Sequence, residues 1–388
     1  MKLLFVADTV YTRHRDDVYG LRVYGREYFA DYLEAFSEVA ICARVKTADA
    51  PPADMPQTNS DRIRFFDIPD VHGWRWVLGW DGRIKAILNR AVEQCDAVVT
   101  RMPGFLGSLA LPLAKKHGKP VMAEVVGDSQ EAIRNYGTAW PYQWLAWRKL
   151  RDFQRFMKKT DVAAYVNHSV LPKKYPVAPG VPYDVYVDIQ LQEREIASPR
   201  TYTSPPETFQ MIGLMNFIPY KRHQDLIRAC AVLKENRRKF QLHLIGDGGT
   251  LPAVQSLVQR LDLSDDVVFH GYVADPERMR QEMAHAHVTI LPSATEGLPR
   301  SLIEGMALGL GAVGSDAGGI PDLVRPSEVF RVGDVKTLAK MLLEIADSPE
   351  RLTEMSRHAV ETAKQYAASV ISPQRIRLYR ILAERARR

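Results

Sequence analysis

HVTILPSATEGLPRSLIEGMALG, residues 287–309, reads as a strand, a loop and the start of a helix. HVTILP is apolar nearly throughout, the composition of a strand buried on both faces of a parallel sheet. The residues from Ser301 to Leu310 have helical composition. The same alternation extends outward in both directions. FQMIG (209–213), FQLHLIG (240–246) and DVVFHG (266–271) precede it, each followed by a helical stretch. Further upstream, KLLFVA (2–7), EVAICA (38–43), DAVVTR (96–101), KPVMAEVV (119–126) and DVAAYV (161–166) are separated by amphipathic segments of helical length. Short apolar strands alternating with helices predict an α/β fold built on doubly wound parallel sheets.

The alternation pauses once, at residues 175–206, where prolines cluster at both ends and restrict the chain to extended or turn conformations. Two domains are therefore expected, 1–188 and 207–372, with the linker in 175–206. The charged C-terminal helix, 373–388, is expected to pack back on the first domain.

A chain of 388 residues has the length of two to three domains, and its 46% hydrophobic and 25% charged content is that of a folded globular protein. A net charge of +6 over that length is too weak to imply nucleic acid. MKLLFVADTV is apolar for only five residues before Asp8, and no later run approaches the length of a membrane span. Cys42, Cys95 and Cys230 are far apart and odd in number, which suits buried thiols in a reducing compartment. The expected location is cytoplasmic. One stretch stands out: WPYQWLAWRKLRDFQRFMKK, residues 140–159, sets six basic residues against Asp152 among tryptophans. It reads either as a packing helix or as a helix resting peripherally on an anionic inner membrane face.

The two glutamates of the opening stretch also have two readings. Ser293 with Glu296, and Ser301 with Glu304, each match the S-x-x-E capping box. Alternatively, the loop is a ligand site at the carboxyl end of a strand, where open α/β sheets bind ligands. Gly297 would let the backbone approach a ligand, and the helix start would offer N–H groups to a pyrophosphate. Arg300 would either add a charge-assisted bond or be solvated. A carboxylate accepts at two oxygens, which suits the paired hydroxyls of a sugar.

E-G-L-P-R-S-L-I-E-G-M-A, followed by SDAGGIPDLV from residue 315, resembles the E-x7-E signature of retaining GT-B glycosyltransferases, family 4. IGLMNFIPYKRHQDLIRA (212–229), LHLIGDGG (242–249) and VVFHGYV (267–273) are similar to other loops of that family. The resemblance implies two Rossmann-like domains facing each other across a cleft. It implies transfer of a hexose, with retention, from a UDP- or GDP-linked sugar to a glycan or lipid-linked saccharide in surface polysaccharide, O-antigen or capsule synthesis. Glu296 would hold the transferred sugar and Glu304 the nucleotide ribose, with Gly297, Leu298 and Arg300 on the same donor side. Lys221, with Arg222, would meet the diphosphate, and the backbone around Tyr272 would form the base-binding turn. Gly246 and Gly248 would make a nest near the donor or an ordinary strand-to-helix turn.

The family's Gly-Gly loop after strand one is replaced by DTVYTRHRDDVYGLRVYG, which leaves Gly20 as its acceptor-side equivalent. Asp128, in EVVGDSQEA (124–132), is the catalytic-side candidate of the first domain or else a helix N-cap. No D-x-D pair is present, and His285 and His287 lack ligand companions, so no metal or other cofactor is expected. Two other functions stay open on this scaffold: a nucleotide-sugar epimerase, which predicts the E-x7-E loop less directly, and a non-catalytic nucleotide-sugar-binding protein.

Overall fold

The computed structural model describes residues 1–21, 24–52, 55–70, 82–128, 130–131, 140–186, 189 and 191–388. The chain divides into two compact units. One comprises Met1–Asp188 with Ser372–Arg388, and the other Ile189–Ile371. Among the described residues no helix is long and apolar enough to cross a membrane.

Among the described residues the first unit holds eight strands: β1 (Lys2–His14), β2 (Asp17–Tyr19), β3 (Glu38–Thr47), β4 (Ile63–Pro69), β5 (Ala97–Met102), β6 (Val121–Val125), β7 (Val162–Tyr165) and β8 (Tyr183–Val185). Their order is β4-β3-β1-β5-β6-β7-β8, parallel throughout, with β2 antiparallel against the far end of β1. Leu3, Leu4, Phe5 and Val6 are wholly buried, as a strand covered on both faces requires.

The tail joins this unit through polar groups. Tyr379 stacks on Tyr32 with ring centroids 4.1 Å apart, and both hydroxyls donate to the buried Glu124, at 3.0 and 2.7 Å. The buried Arg375 pairs with Asp31 at 3.2 Å.

One expectation is corrected here. The loop expected from Asp8 is largely strand: β1 continues to His14, turns through Arg15 at φ 54°, and returns as β2. TVYTRH alternates polar and apolar residues, the period of a strand, whereas the fully apolar KLLFVA drew the boundary too early. The boundary between the units, after residue 188, falls inside the stretch 175–206, and much of that stretch is packed. Tyr175 is buried and Tyr183–Val185 pairs with β7, while the Ala197 and Arg200 N–H groups are bonded to Ala307 and Ser356 of the second unit. Prolines there mark extended chain laid on each unit.

The second unit carries β9 (Phe209–Leu214), β10 (Phe240–Ile245), β11 (Val267–Gly271), β12 (Val288–Leu291), β13 (Gly311–Ser315) and β14 (Val329–Phe330), all parallel, in the order β11-β10-β9-β12-β13-β14. Renumbered within the unit this is 3-2-1-4-5-6, the order of a dinucleotide-binding Rossmann sheet. The core is the usual aliphatic layer between sheet and helices; Leu338, Leu342 and Ile345 of the helix Val335–Ala346 lie one turn apart on its buried face. Asp334 caps that helix by accepting from the Thr337 N–H at 3.0 Å.

β13 reads GAVGS and does not resemble a strand, because its glycines make room for neighbours. A Cβ on Gly314 would lie 2.3 Å from Ile320 Cγ2, and one on Gly311 would lie 2.9 Å from Met355 Cε. In this order the chain reverses direction across the sheet between β9 and β12. Ligands of such sheets bind where the loops leave those two strands.

Candidate donor site of the second unit

The loop after β9 carries Lys221 and the loop after β12 carries Glu296. At the switch point these side chains meet: Lys221 Nζ donates to Glu296 Oε1 at 2.5 Å, with 15% and 11% of the two side chains exposed. A sequence separation of 75 residues is thus closed to a single ion pair where the fold predicts a ligand.

Hydrogen bonds and glycines hold the Glu296 loop from both sides. The Ala294 N–H donates to the Tyr220 carbonyl at 2.7 Å, tying the loop to the 3-10 turn Pro219–Lys221. The Ser315 hydroxyl donates to the Ser293 carbonyl at 2.5 Å. On the far side, the Gly319 N–H donates to the Gly297 carbonyl at 3.0 Å. Gly318 sits at φ +53°, and a Cβ there would fall 1.8 Å from the Glu296 carbonyl oxygen. Only glycine fits at that approach.

The capping readings do not survive. Glu296 lies in a loop and bonds to Lys221. The helix Arg300–Ala307 begins after Pro299 with no side chain capping it, and Glu304 stands in its second turn rather than its first. The start of that helix is therefore left open to anionic oxygens. Arg300, one turn before Glu304, forms an ion pair with it at 3.8 Å. Burial raises the Glu304 carboxyl above its usual value, and Arg300 only partly offsets this.

A group whose folded pKa is raised weakens the fold when ionised. Glu304→Gln is therefore expected to unfold at a higher temperature than the parent near pH 7. The gap should narrow as pH falls and vanish once unfolded carboxylates are also protonated. Thermal unfolding from pH 7 to pH 4 measures this, and a variant less stable at pH 7 contradicts it.

Other residues fall into place around the pair. Arg222, left-handed at φ 52°, directs Nε to the buried Asp225 at 2.5 Å. Its guanidinium is thus anchored to the helix His223–Glu235, beside Lys221 rather than in place of it. His223 is stacked 4.0 Å from Phe217, and burial lowers its pKa to about 4, so it adds no charge beside Lys221 near pH 7. Gly246 and Gly248, at φ +141° and +146°, let the loop after β10 lie on the loop after β9. Cβ atoms there would come within 2.2 Å of the Met215 carbonyl and 2.5 Å of the Phe217 carbonyl. They shape the loop that leads to Lys221. Tyr272 follows β11 and is 72% exposed.

In the first unit, Asp128 accepts from the Gln130 N–H at 2.9 Å, the Glu131 N–H at 3.2 Å, the Tyr175 hydroxyl at 2.6 Å and the Lys174 ammonium. Both its oxygens are engaged, as in the capping alternative. Gly20 packs where a Cβ would lie 2.6 Å from the Tyr11 ring. Sequence reading missed Asp8, whose carboxylate accepts the first N–H groups of the helix Phe105–Lys116, from Phe105 at 2.6 Å and Leu106 at 2.9 Å. Burial nonetheless raises its pKa. It also passed over Tyr220 and Gly318, although the Gly-Gly pair in SDAGGIPD signals a tight turn.

Two parallel-sheet Rossmann-like units are the architecture of the GT-B fold. Residues 197–365, which lie within the second unit, match the family described as glycosyl transferases group 1. Protein CapJ of Staphylococcus aureus is 25% identical over 88% of this chain and 85% of its own length. A lipopolysaccharide 1,6-galactosyltransferase of Escherichia coli is 28% identical over 35% of this chain and 38% of its own. Among solved structures, Anabaena HepE in complex with UDP and glucose superposes with a TM-score of 0.68 at 16% identity, covering 96% of this chain and 98% of that one.

Proposed function

We propose that this chain is a retaining hexosyltransferase, using a nucleoside-diphosphate hexose as donor and a glycan or lipid-linked saccharide as acceptor. The observation that carries this reading is the Lys221–Glu296 pair at the switch point, one loop away from the uncapped helix that holds Glu304. In the free protein Glu296 balances Lys221. A bound diphosphate would compete for the ammonium and release Glu296 to accept from sugar hydroxyls, while Glu304 accepts from ribose hydroxyls.

As the bond from the sugar's anomeric carbon to the diphosphate breaks, negative charge grows on the leaving oxygen. Lys221 and the N–H groups at the start of Arg300–Ala307 stabilise that charge. The acceptor hydroxyl attacks from the same face, and the leaving phosphate takes its proton. Asp128, held by four donors, is given no chemical step. No divalent cation has a role in this scheme, so a chelator should leave transfer unchanged.

UDP is the nucleotide to test first, because the similar Anabaena protein is seen with UDP and glucose. The similar lipopolysaccharide galactosyltransferase points to surface polysaccharide acceptors. Thermal unfolding with UDP, GDP, ADP and CDP is the test; a nucleotide at 100 times its dissociation constant stabilises by about 2.7 kcal/mol. One nucleotide should stand clear of the others. Glu304→Ala should lose that shift, while Glu296→Ala keeps it and loses transfer. Small, equal effects at both positions would refute the assignment.

A further inference from the structure

The helix Trp140–Met157 has two faces that do different things. Ala146, Phe153, Phe156 and Met157 are buried against the first unit. On the opposite side Trp140, Trp144 and Trp147 are 76%, 46% and 49% exposed. At 3.6 residues per turn, these three tryptophans with Arg148, Arg151 and Arg155 fall inside an arc of about 100°. The packing reading thus holds for one face, and the other face is exposed.

Single exposed apolar residues are ordinary, but three indole rings in line on one helix are not a scatter. The arginines are laid among them: Arg148 Cζ lies 5.6 Å from the Trp144 ring and Arg151 Cζ 4.6 Å from the Trp147 ring. Residues 140–159 hold six Lys and Arg against Asp152 alone. Asp152 lies off the arc and meets Arg148 and Arg155 only at 3.8 Å each, so neither arginine is held by a strong bond.

Aromatic rings and arginines also occur at protein interfaces, but six cations against Asp152 alone call for a continuous anionic surface. Rings whose edges carry polar N–H groups, interleaved with cations and lacking acids, match the boundary between acyl chains and phosphate headgroups. We infer that this face is a docking surface for a bilayer containing anionic phospholipid. The inference does not depend on the donor-site reading.

Sedimentation of the full chain with vesicles tests it. Binding is expected to vesicles of equal phosphatidylglycerol and phosphatidylcholine, not to phosphatidylcholine alone, and it should weaken steeply between 0.1 and 0.5 M NaCl. Each Lys or Arg near such a surface is worth roughly fivefold in partitioning. The triple variant Arg148→Gln, Arg151→Gln, Arg155→Gln should therefore bind about 100-fold less. Trp144→Ser with Trp147→Ser should bind at least about tenfold less, since each ring loses its interfacial burial.

Lys149, about 150° from the centre of the arc, is the control. Lys149→Gln should stay within about fivefold of the parent. All variants should keep the parent's thermal stability and its response to nucleotide, because the altered side chains are exposed. Equal binding by the triple variant, or an equal loss from Lys149→Gln, overturns the inference. So does a parent that ignores phosphatidylglycerol vesicles but doubles its mass with concentration through the tryptophans, which would make the face a contact between copies.

Discussion

Lys221→Ala is expected to reduce transfer by about 10²- to 10³-fold, the usual cost of removing one preorganised donor from a developing oxyanion. The effect should appear in turnover as well as in nucleotide affinity, since the leaving diphosphate carries more charge in the transition state than in the bound donor. The same substitution strands Glu296, whose side chain is 11% exposed and loses its Lys221 partner. A stranded, mostly buried charge costs about 1–3 kcal/mol, so the melting temperature should fall too. Lys221→Ala combined with Glu296→Ala should recover that stability without recovering transfer. Steady-state kinetics on the single and double variants, read beside thermal unfolding, separate the two effects. Transfer within threefold of the parent in the single variant would remove Lys221 from the chemistry.

Gly318→Val should be the most damaging change that touches no proposed substrate contact. Its Cβ would fall 1.8 Å from the Glu296 carbonyl oxygen, at a φ of +53° that a β-branched residue does not tolerate. Backbone strain of about 1–3 kcal/mol and a similar overpacking term give roughly 3 kcal/mol or more. For a unit of this size that is a loss of about 10 °C in melting temperature. The Glu296 loop would have to move, so transfer should fall by at least about 100-fold, as a 1 Å misplacement can cost. Gly249→Val provides the contrast: a Cβ there meets nothing within 4 Å, and φ is not positive. Its melting temperature should stay within a few degrees of the parent. A Gly318→Val protein with parental stability and transfer would show that the loop yields easily.

The strands that define the fold were legible because they are apolar on both faces, as HVTILP and FQLHLIG are. β13 was not, since its glycines make room for Ile320 and Met355, so its sequence reads as a loop. β4 and β8 escaped for a related reason: an edge strand of seven residues with charges, and a strand of three among prolines, lack a clean apolar run. At the site, Glu296 and Glu304 stood out by residue type and spacing, whereas Lys221 came in only through the family resemblance. The meeting of Lys221 and Glu296 was not legible, because no local pattern tells that residues 221 and 296 share the two loops at a chain reversal; that follows only from strand order. The S-x-x-E spacing was misleading in the opposite direction. It matches a capping box twice, and Pro299 and the Lys221 pairing prevent both.

The clamp on the Glu296 loop bears on kinetics. With Tyr220 on one side and Gly319 on the other, Glu296 already stands beside Lys221 before any donor arrives. No slow ordering of that loop then precedes capture, and the observed rate of nucleotide binding should rise linearly with concentration rather than level off. On the proposed function, discrimination among donors would then rest on how well each one meets groups that already stand in place.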